Sequence, residues 1–467
     1  MWTAATVTGH GYDRRGTAGC LPATVGRMDH PGEVIVVGAG LAGLAAARAL
    51  VAAGLRVVLL EAGDAPGGRV RTDAVDGFLL DRGFQVLNPS YPELRRVADV
   101  AALALAPYDA AIEVVLADGR ATLGDPRRRP SAAVSSLLAP VGSPVAKARL
   151  AAYALRVAYV DRDQDAALDR PDSSARQAYA DAGLSDQLVD AVLRPFLAGV
   201  FLEPDLATSR RFADQILRSF VRGTPGLPAT GVRALPDQLA AALPPSTLRL
   251  DTPVTGLTAA GVTTAGGELA APSVVIATEA PVAARLLSAI GVRLAVPPAR
   301  VVTTWYHTPT GTDPAQLSGG RAVVVVDGVR RGPVVTTSVP TAAAPSYSAD
   351  GRALVSSSVL DLDTSGGAEG AVRAHLARLH GTDTTRWELV GVTPVPWAQP
   401  AMLPPLDPRK PVRVAEGRYI AGDHRDTASV QGALVSGRRA AEAVLADLGL
   451  PWPAEPGPVR SIAGRRA

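Results

Sequence analysis

Three glycines, at positions 38, 40 and 43, and an acid 18 residues beyond the last of them are the first residues in this chain whose spacing suggests chemistry. Gly38-Ala39-Gly40-Leu41-Ala42-Gly43 follows a β-branched run, Glu33 to Val37. It opens an Ala- and Leu-rich stretch, Leu44 to Ala53, which Gly54 ends. Leu55 to Leu60 is a second apolar run, and it closes on Glu61-Ala62. Strand, glycine turn, helix and strand fill the ~30 residues of a βαβ unit. Gly38 permits a tight turn, Gly40 removes the side chain that would face a diphosphate, and Gly43 lets the helix pack on the strand. The helix N-terminus adds a favourable partial positive charge. The Glu61 carboxylate suits a pair of ribose hydroxyls and would repel a 2′-phosphate. The ligand so described is a dinucleotide, and this motif does not separate FAD from NAD.

A second loop helps to separate them. Gly67-Gly68-Arg69-Val70-Arg71-Thr72 follows the second strand by a few residues. Paired glycines bring backbone beside a long ligand, and the planar fork of Arg69 can bridge phosphate oxygens. An NAD site needs no such loop, so FAD is the expected cofactor. Near the C-terminus a short strand, Arg418 to Ala421, ends at Gly422-Asp423, and a helix starts near Ser429 and Val430. Its dipole would point at the electron-rich pyrimidine edge of a flavin and stabilise the reduced anionic ring.

The elements that must position these residues are spread along the chain. Residues 96 to 225 look mainly helical, with Ala- and Leu-rich stretches at Ala146 to Val160 and Leu184 to Leu197. Strands are expected at Leu248 to Val254, Gly261 to Thr264 and Ser273 to Ala277. Further strands, read as antiparallel, are expected at Val301 to His307, Ala322 to Val326, Val334 to Val339 and Leu354 to Leu360. Gln431 to Leu448 is a closing helix, and Pro-rich spacers sit near 223–228, 395–411 and 451–458. The fold class expected is α/β: a Rossmann-type FAD-binding domain interleaved with an α+β substrate domain. Segments 31–95, 225–285 and 410–450 carry the nucleotide-fold signals, while 96–224 and 286–409 form the substrate domain. Residues 1–30 read as a disordered extension or a misassigned start with Met28 as initiator, and 451–467 as a tail.

Composition narrows the function classes. The chain has 467 residues, 47% hydrophobic and 19% charged, with a formal net charge of +3. That supports a large core and no nucleic-acid partner, since no basic run is interleaved with aromatics. The single cysteine, Cys20, excludes an intramolecular disulfide, a four-thiolate cluster and a CxxC pair. It implies a reducing, cytoplasmic setting, and it lies outside the fold, which argues against a Cys-linked flavin. Arg14-Arg15 and Thr17 to Cys20 lack the apolar region an export signal requires. No metal-ligand spacing, Walker loop or GxSxG elbow supports a hydrolase or kinase.

Val34 to Thr72 resembles the FAD-binding start of the flavin amine oxidase superfamily, which includes monoamine and polyamine oxidases, protoporphyrinogen oxidase and the phytoene desaturases. Four further stretches share the resemblance. Phe78 to Leu87, with Gly83, Phe84 and Gln85, is similar to the segment beside the flavin ring. Thr252 to Leu257, at Val254, is similar to the strand on the adenine side. Val274 to Thr278, with Ala277 and Thr278, is similar to the second dinucleotide strand. Tyr419 to Asp423 followed by Ser429 to Ala433 is similar to the closing motif, where Gly422 and Asp423 meet the pyrophosphate and ribityl chain. The resemblance implies hydride transfer from a substrate C–H to flavin N5, with reoxidation by oxygen, a quinone or another acceptor.

The sequence also departs from that pattern. Amine oxidases of this group carry a lysine near flavin N5, and neither Lys147 nor Lys410 falls at its expected place. The corresponding stretch is Val301 to His307, in which His307 is a weak catalytic candidate. An aromatic fraction of 4% argues against a full aromatic cage. Trp397, between Pro396 and Pro400, is a candidate for the cavity wall. The donor expected is therefore a large apolar molecule, a carotenoid, isoprenoid or porphyrin-like compound. The alternatives are an amine, a non-redox polyene isomerisation, or flavin or NAD binding without catalysis. Arg194 to Leu197 and Gly199 to Leu202 resemble a segment of phytoene-dehydrogenase-like relatives. Arg127-Arg128-Arg129 before an apolar helix from Val134 suggests peripheral contact with the inner face of a membrane.

Overall fold

The computed structural model describes residues 33–160 and 171–453. Cys20 and the extension expected over residues 1–30 lie outside the described residues, as does the tail beyond residue 453. The strand Glu33–Val37 is buried along its whole length, as an uninterrupted β-branched run requires when helices cover both faces of a sheet. It pairs in parallel with Arg56–Leu60 on one side and Ser273–Ile276 on the other. Leu248–Arg249 continues the parallel sheet beyond Arg56–Leu60, and Arg418–Ile420 continues it beyond Ser273–Ile276. Arg413–Ala415 adds an antiparallel edge. Val34, Val36, Val57 and Leu59 pack under the helices Leu41–Ala52 and Val430–Asp447. Ile35, Val58 and Ile276 face the helix Ala280–Ser288 on the other side. The period-two alternation of a strand thus divides one apolar run between two cores.

A second sheet of seven strands forms the other layer. Its order is Glu388–Pro400, Ala299–Thr308, Val355–Val359, Val334–Ser338, Val324–Asp327, Ala111–Leu116 and Gly119–Gly124. Neighbours are antiparallel except Val324–Asp327 and Ala111–Leu116, which run in parallel. Helices Pro144–Leu155, Ala175–Asp181, Arg194–Phe201 and Arg210–Arg222 pack beside this layer around Tyr153, Phe201 and Phe212. The architecture is mixed α/β: a Rossmann-like parallel sheet with an additional α+β layer.

Three expectations need correction. The stretch 96–225 is not wholly helical, because Ala111–Leu116 and Gly119–Gly124 form a hairpin that joins the seven-stranded sheet. The spacer read at 395–411 begins inside the strand Glu388–Pro400. That strand lies at the sheet edge and has a partner on one side only, the position in a sheet where prolines are tolerated. The strand expected from Leu248 to Val254 breaks in two. Leu248–Arg249 stays in the parallel sheet, and Val254–Leu257 pairs instead with Gly261–Thr264. The break falls at Asp251, which has φ 48°, just before Pro253.

The arginine run is engaged within the fold. Arg127 pairs with Asp125 and Arg129 with Asp109. Arg128 donates to the carbonyls of Phe220, Val221 and Gly223, which closes the end of the helix Arg210–Arg222. The apolar helix expected from Val134 is the seven-residue Ala132–Leu138, with Val134, Leu137 and Leu138 exposed. Among the described residues no helix is long and apolar enough to cross a membrane.

Candidate active site

The three glycines occupy three different environments. Gly38 has φ 98°, and its amide donates to Leu60 O at 2.7 Å, so the turn is tied to the second strand. A Cβ on Gly43 would stand 1.9 Å from Gly38 O, so helix and turn touch backbone to backbone. A Cβ on Gly40 would meet nothing within 4 Å. Gly40 is also the N-cap of Leu41–Ala52, and no side chain caps that helix. An open face beside uncapped helix amides is the arrangement that receives an anion. Ala42 is buried between this helix and the closing one, whose Gly437 has its Cβ position 2.2 Å from Ala42 O.

Glu61 grips the turn from the second strand. Its Oε2 accepts from Ala39 N at 2.6 Å and its Oε1 from Gly63 N at 2.9 Å, while Ala62 beside it is exposed. Thr252 N donates to Glu61 O, which brings the strand starting at Val254 alongside the acid. The second glycine loop lies directly against the first: Gly67 N donates to Ala39 O at 2.9 Å, and Gly40 bridges to Gly67. Gly67 and Gly68 have φ 117° and 59°, conformations that a side chain disfavours.

Arg69 leaves that loop for the C-terminal segment. Its Nη1 pairs with Asp423 Oδ2 at 2.8 Å and donates to Ala398 O at 2.9 Å. The ion pair holds the Asp423 carboxyl below its ordinary range despite burial, and raises the Arg69 guanidinium. Gln85 Nε2 donates to Arg69 O at 2.8 Å, so the segment of Gly83, Phe84 and Gln85 backs the loop. Ala277 N donates to Val37 O, and Ala277 O lies 2.9 Å from the Cβ position of Gly38, with Thr278 next to it. Gly422 N donates to Ser436 Oγ, and Ser429 caps the helix Val430–Asp447 by accepting from Gly432 N at 3.0 Å.

Five distant segments therefore converge around the turn at Gly38 to Gly43. Arg69, Glu279, Ala280, Trp397, Pro400, Asp423 and His424 line one small void between the two layers. Burial raises the Glu279 carboxyl, against the pull of Arg69. Glu279 and His424 were not expected from the sequence. Glu279 had one available signal, its position directly after Thr278 at the head of the helix Ala280–Ser288. His424 had the same kind of signal, its position directly after Asp423, and its burial without a partner sets it apart.

His307 is placed elsewhere. Along Ala299–Thr308 the side chains alternate, and Tyr306 turns towards Asp81, donating to its carbonyl. His307 faces the opposite side, toward the helix Gly366–His380, 3.9 Å from Glu369 Oε1 and 6.4 Å from the Trp387 ring. Lys147 donates to Leu137 O and Ala139 O in the helical layer. Lys410 donates to His424 O at 3.1 Å.

The parallel sheet, the glycine turn, the gripping acid and the second loop define an α/β fold of the dinucleotide-binding type. Residues 41–445 match the family described as flavin containing amine oxidoreductase, and the chain belongs to that family. Putrescine oxidase of Kocuria rosea is 52% identical over 67 residues, 14% of this chain and 14% of that protein. Phytoene dehydrogenase of Streptomyces griseus is 53% identical over 62 residues, 13% of this chain and 12% of the relative. These matches span well under two thirds of either relative. Among solved structures, cyclohexylamine oxidase from Brevibacterium oxydans IH-35A superposes with a TM-score of 0.65 at 18% identity, covering 90% of this chain and all of that one.

Proposed function

We propose that this chain is an FAD-dependent oxidoreductase that oxidises a C–H bond next to nitrogen in a small amine. The observation that carries the cofactor assignment is Gly40: open space where its side chain would be, at the uncapped start of Leu41–Ala52. The amides of that turn would hold the diphosphate, Glu61 a ribose, and Arg69 with Asp423 the stretch leading to the ring. Gly83 to Gln85, Val254, Ala277, Thr278, Ser429 and Val430 would complete the cradle. Bound flavin supplies the two-electron acceptor for a substrate hydride. The chain's own work is to orient that cofactor, exclude water and hold the donor carbon over it. The amine class is supported by family membership and by the likeness to putrescine oxidase and cyclohexylamine oxidase.

The expectation of a large apolar donor draws on the missing lysine, the 4% aromatic fraction and the likeness of Arg194 to Leu197 and Gly199 to Leu202 to phytoene-dehydrogenase-like relatives; the amine oxidases among the similar proteins favour the amine instead. The decisive experiment is anaerobic mixing of the FAD-loaded chain with putrescine, cyclohexylamine and a carotenoid such as phytoene. Bleaching near ~450 nm by an amine supports the proposal, and bleaching by the carotenoid alone overturns the amine assignment. Product without bleaching identifies an isomerase. Membrane contact is a subordinate part of the reading, supported by the exposed Val134, Leu137 and Leu138. Absence of flotation with anionic vesicles removes it.

A further inference from the structure

We propose that His424 is an additional cofactor-binding residue, whose imidazole hydrogen-bonds the hydroxyl-bearing linker between the ring and the phosphates of the bound flavin nucleotide. This rests on the FAD reading above and deepens it.

Four observations meet at this side chain. His424 is 2% exposed, and neither Nδ1 nor Nε2 has a hydrogen-bond partner. A buried polar group left unpaired is costly, and such groups ordinarily find partners. The residue lines the same void as Arg69, Asp423, Glu279 and Trp397. The backbone is also shaped to accept the ring. Gly422 has φ 142°, and a Cβ there would sit 2.5 Å from His424 Cε1, so the imidazole folds over a position that only glycine leaves clear.

The chemistry of the neighbours narrows what the ring can hold. Arg69 and Asp423 already satisfy each other at 2.8 Å, and Asp423 Oδ1 is 3.9 Å from His424 Nδ1. Burial pushes the imidazole down to about 4, against the pull of Asp423 and with help from Arg425, Arg69 and Lys410. At neutral pH the ring is therefore uncharged, with one N–H donor and one lone-pair acceptor. A phosphate oxygen accepts only, and it would leave the second nitrogen unpaired. A hydroxyl both donates and accepts, so adjacent hydroxyls of a polyol chain can satisfy both nitrogens. Asp423 on the preceding position offers an acceptor to the same chain, which makes Asp423-His424 a paired grip on one linker.

The test compares FAD with an analogue whose ribityl chain is replaced by a plain alkyl linker. Dissociation constants come from flavin fluorescence, for the wild type, His424→Phe, which keeps ring shape without nitrogens, and His424→Gln, which keeps a donor and an acceptor. His424→Phe should weaken FAD roughly 5- to 100-fold, the range for losing one or two buried hydrogen bonds. His424→Gln should recover most of that loss. With the alkyl-linked analogue, wild type and His424→Phe should bind within about twofold of each other. Equal FAD binding by wild type and His424→Phe overturns the inference. So does an equal loss on the analogue, which marks a structural role. Circular dichroism of each apoprotein checks folding, and if His424→Phe fails to fold, His424→Leu takes its place in the same comparison. A wild type that takes up no FAD overturns the parent reading, and this one with it.

Discussion

Adding one methyl at Gly43 and one at Gly40 should produce opposite failures. The Cβ of Gly43→Ala would lie 1.9 Å from Gly38 O, while contacts under 3.0 Å are essentially never seen. Helix and turn must therefore separate by about 1.1 Å (3.0 minus 1.9). Both partners are backbone, and Ala277 Cβ stands 3.3 Å away on the other side, so no flexible side chain can yield. Overpacking costs roughly 1–3 kcal/mol where neighbours can shift, and this site belongs at the upper end, about 3 kcal/mol. Gly40→Ala meets nothing within 4 Å and keeps an extended backbone, φ −68° and ψ 175°. Its cost to the fold is that of a poorer N-cap, below about 1 kcal/mol. Yet its methyl would occupy the face on which a diphosphate must rest. Urea unfolding of the apoproteins and FAD titration by fluorescence separate the two effects. Gly43→Ala should lose stability first. Gly40→Ala should melt close to wild type and bind FAD at least about tenfold more weakly, a loss of ~1.4 kcal/mol. An unchanged unfolding midpoint for Gly43→Ala, or unchanged FAD affinity for Gly40→Ala, refutes the assignment of the turn.

Other perturbations have equally definite outcomes. Arg69→Ala leaves the buried Asp423 carboxylate without its cation and should destabilise the chain by about 3 kcal/mol, read by thermal melting; Arg69→Lys should recover part of that. Glu61→Gln turns one of two accepting oxygens into a donor facing Ala39 N or Gly63 N, so FAD affinity should fall severalfold without loss of the parallel sheet's circular dichroism signal. His307 is held neutral by burial, its folded value lowered to about 4 from 6.5. Below pH 6.5 the unfolded chain takes up the proton more readily, so this residue's contribution falls as pH drops from about 6.5 to about 4, by on the order of 3 kcal/mol. His307→Leu should flatten that part of the stability curve and leave flavin binding and turnover intact, because the ring faces the helix Gly366–His380; a large loss of turnover would restore it as a catalytic candidate.

Much of the nucleotide-binding half was legible because its signals are local. A β-branched run, a glycine turn and an Ala-rich helix each prescribe their own backbone, and Glu61 sits where a second strand of fixed rise must end. Strands at Ala299–Thr308, Val334–Ser338 and Val355–Val359 were readable for the same reason. The hairpin Ala111–Leu116 and Gly119–Gly124 was hidden by Ala- and Leu-rich surroundings that favour helix. Its strand identity comes from pairing with Val324–Asp327, some 210 residues away. The prolines of Glu388–Pro400 read as a spacer, because being an edge strand is a property of the assembled sheet.

By itself, then, the order of residues determined that a glycine turn of the dinucleotide-binding type exists between a strand and a helix, which residue types flank it, and that several remote segments share the family pattern. Tertiary structure alone decided which of those side chains meet. Arg69 reaches Asp423 across more than 350 residues, His307 is turned to the side opposite Tyr306 by the parity of one strand, and His424 gains its interest from being buried without a partner. The reason is physical. Backbone preferences act over a few residues, whereas burial and pairing depend on which distant segments the two sheets bring within hydrogen-bonding distance.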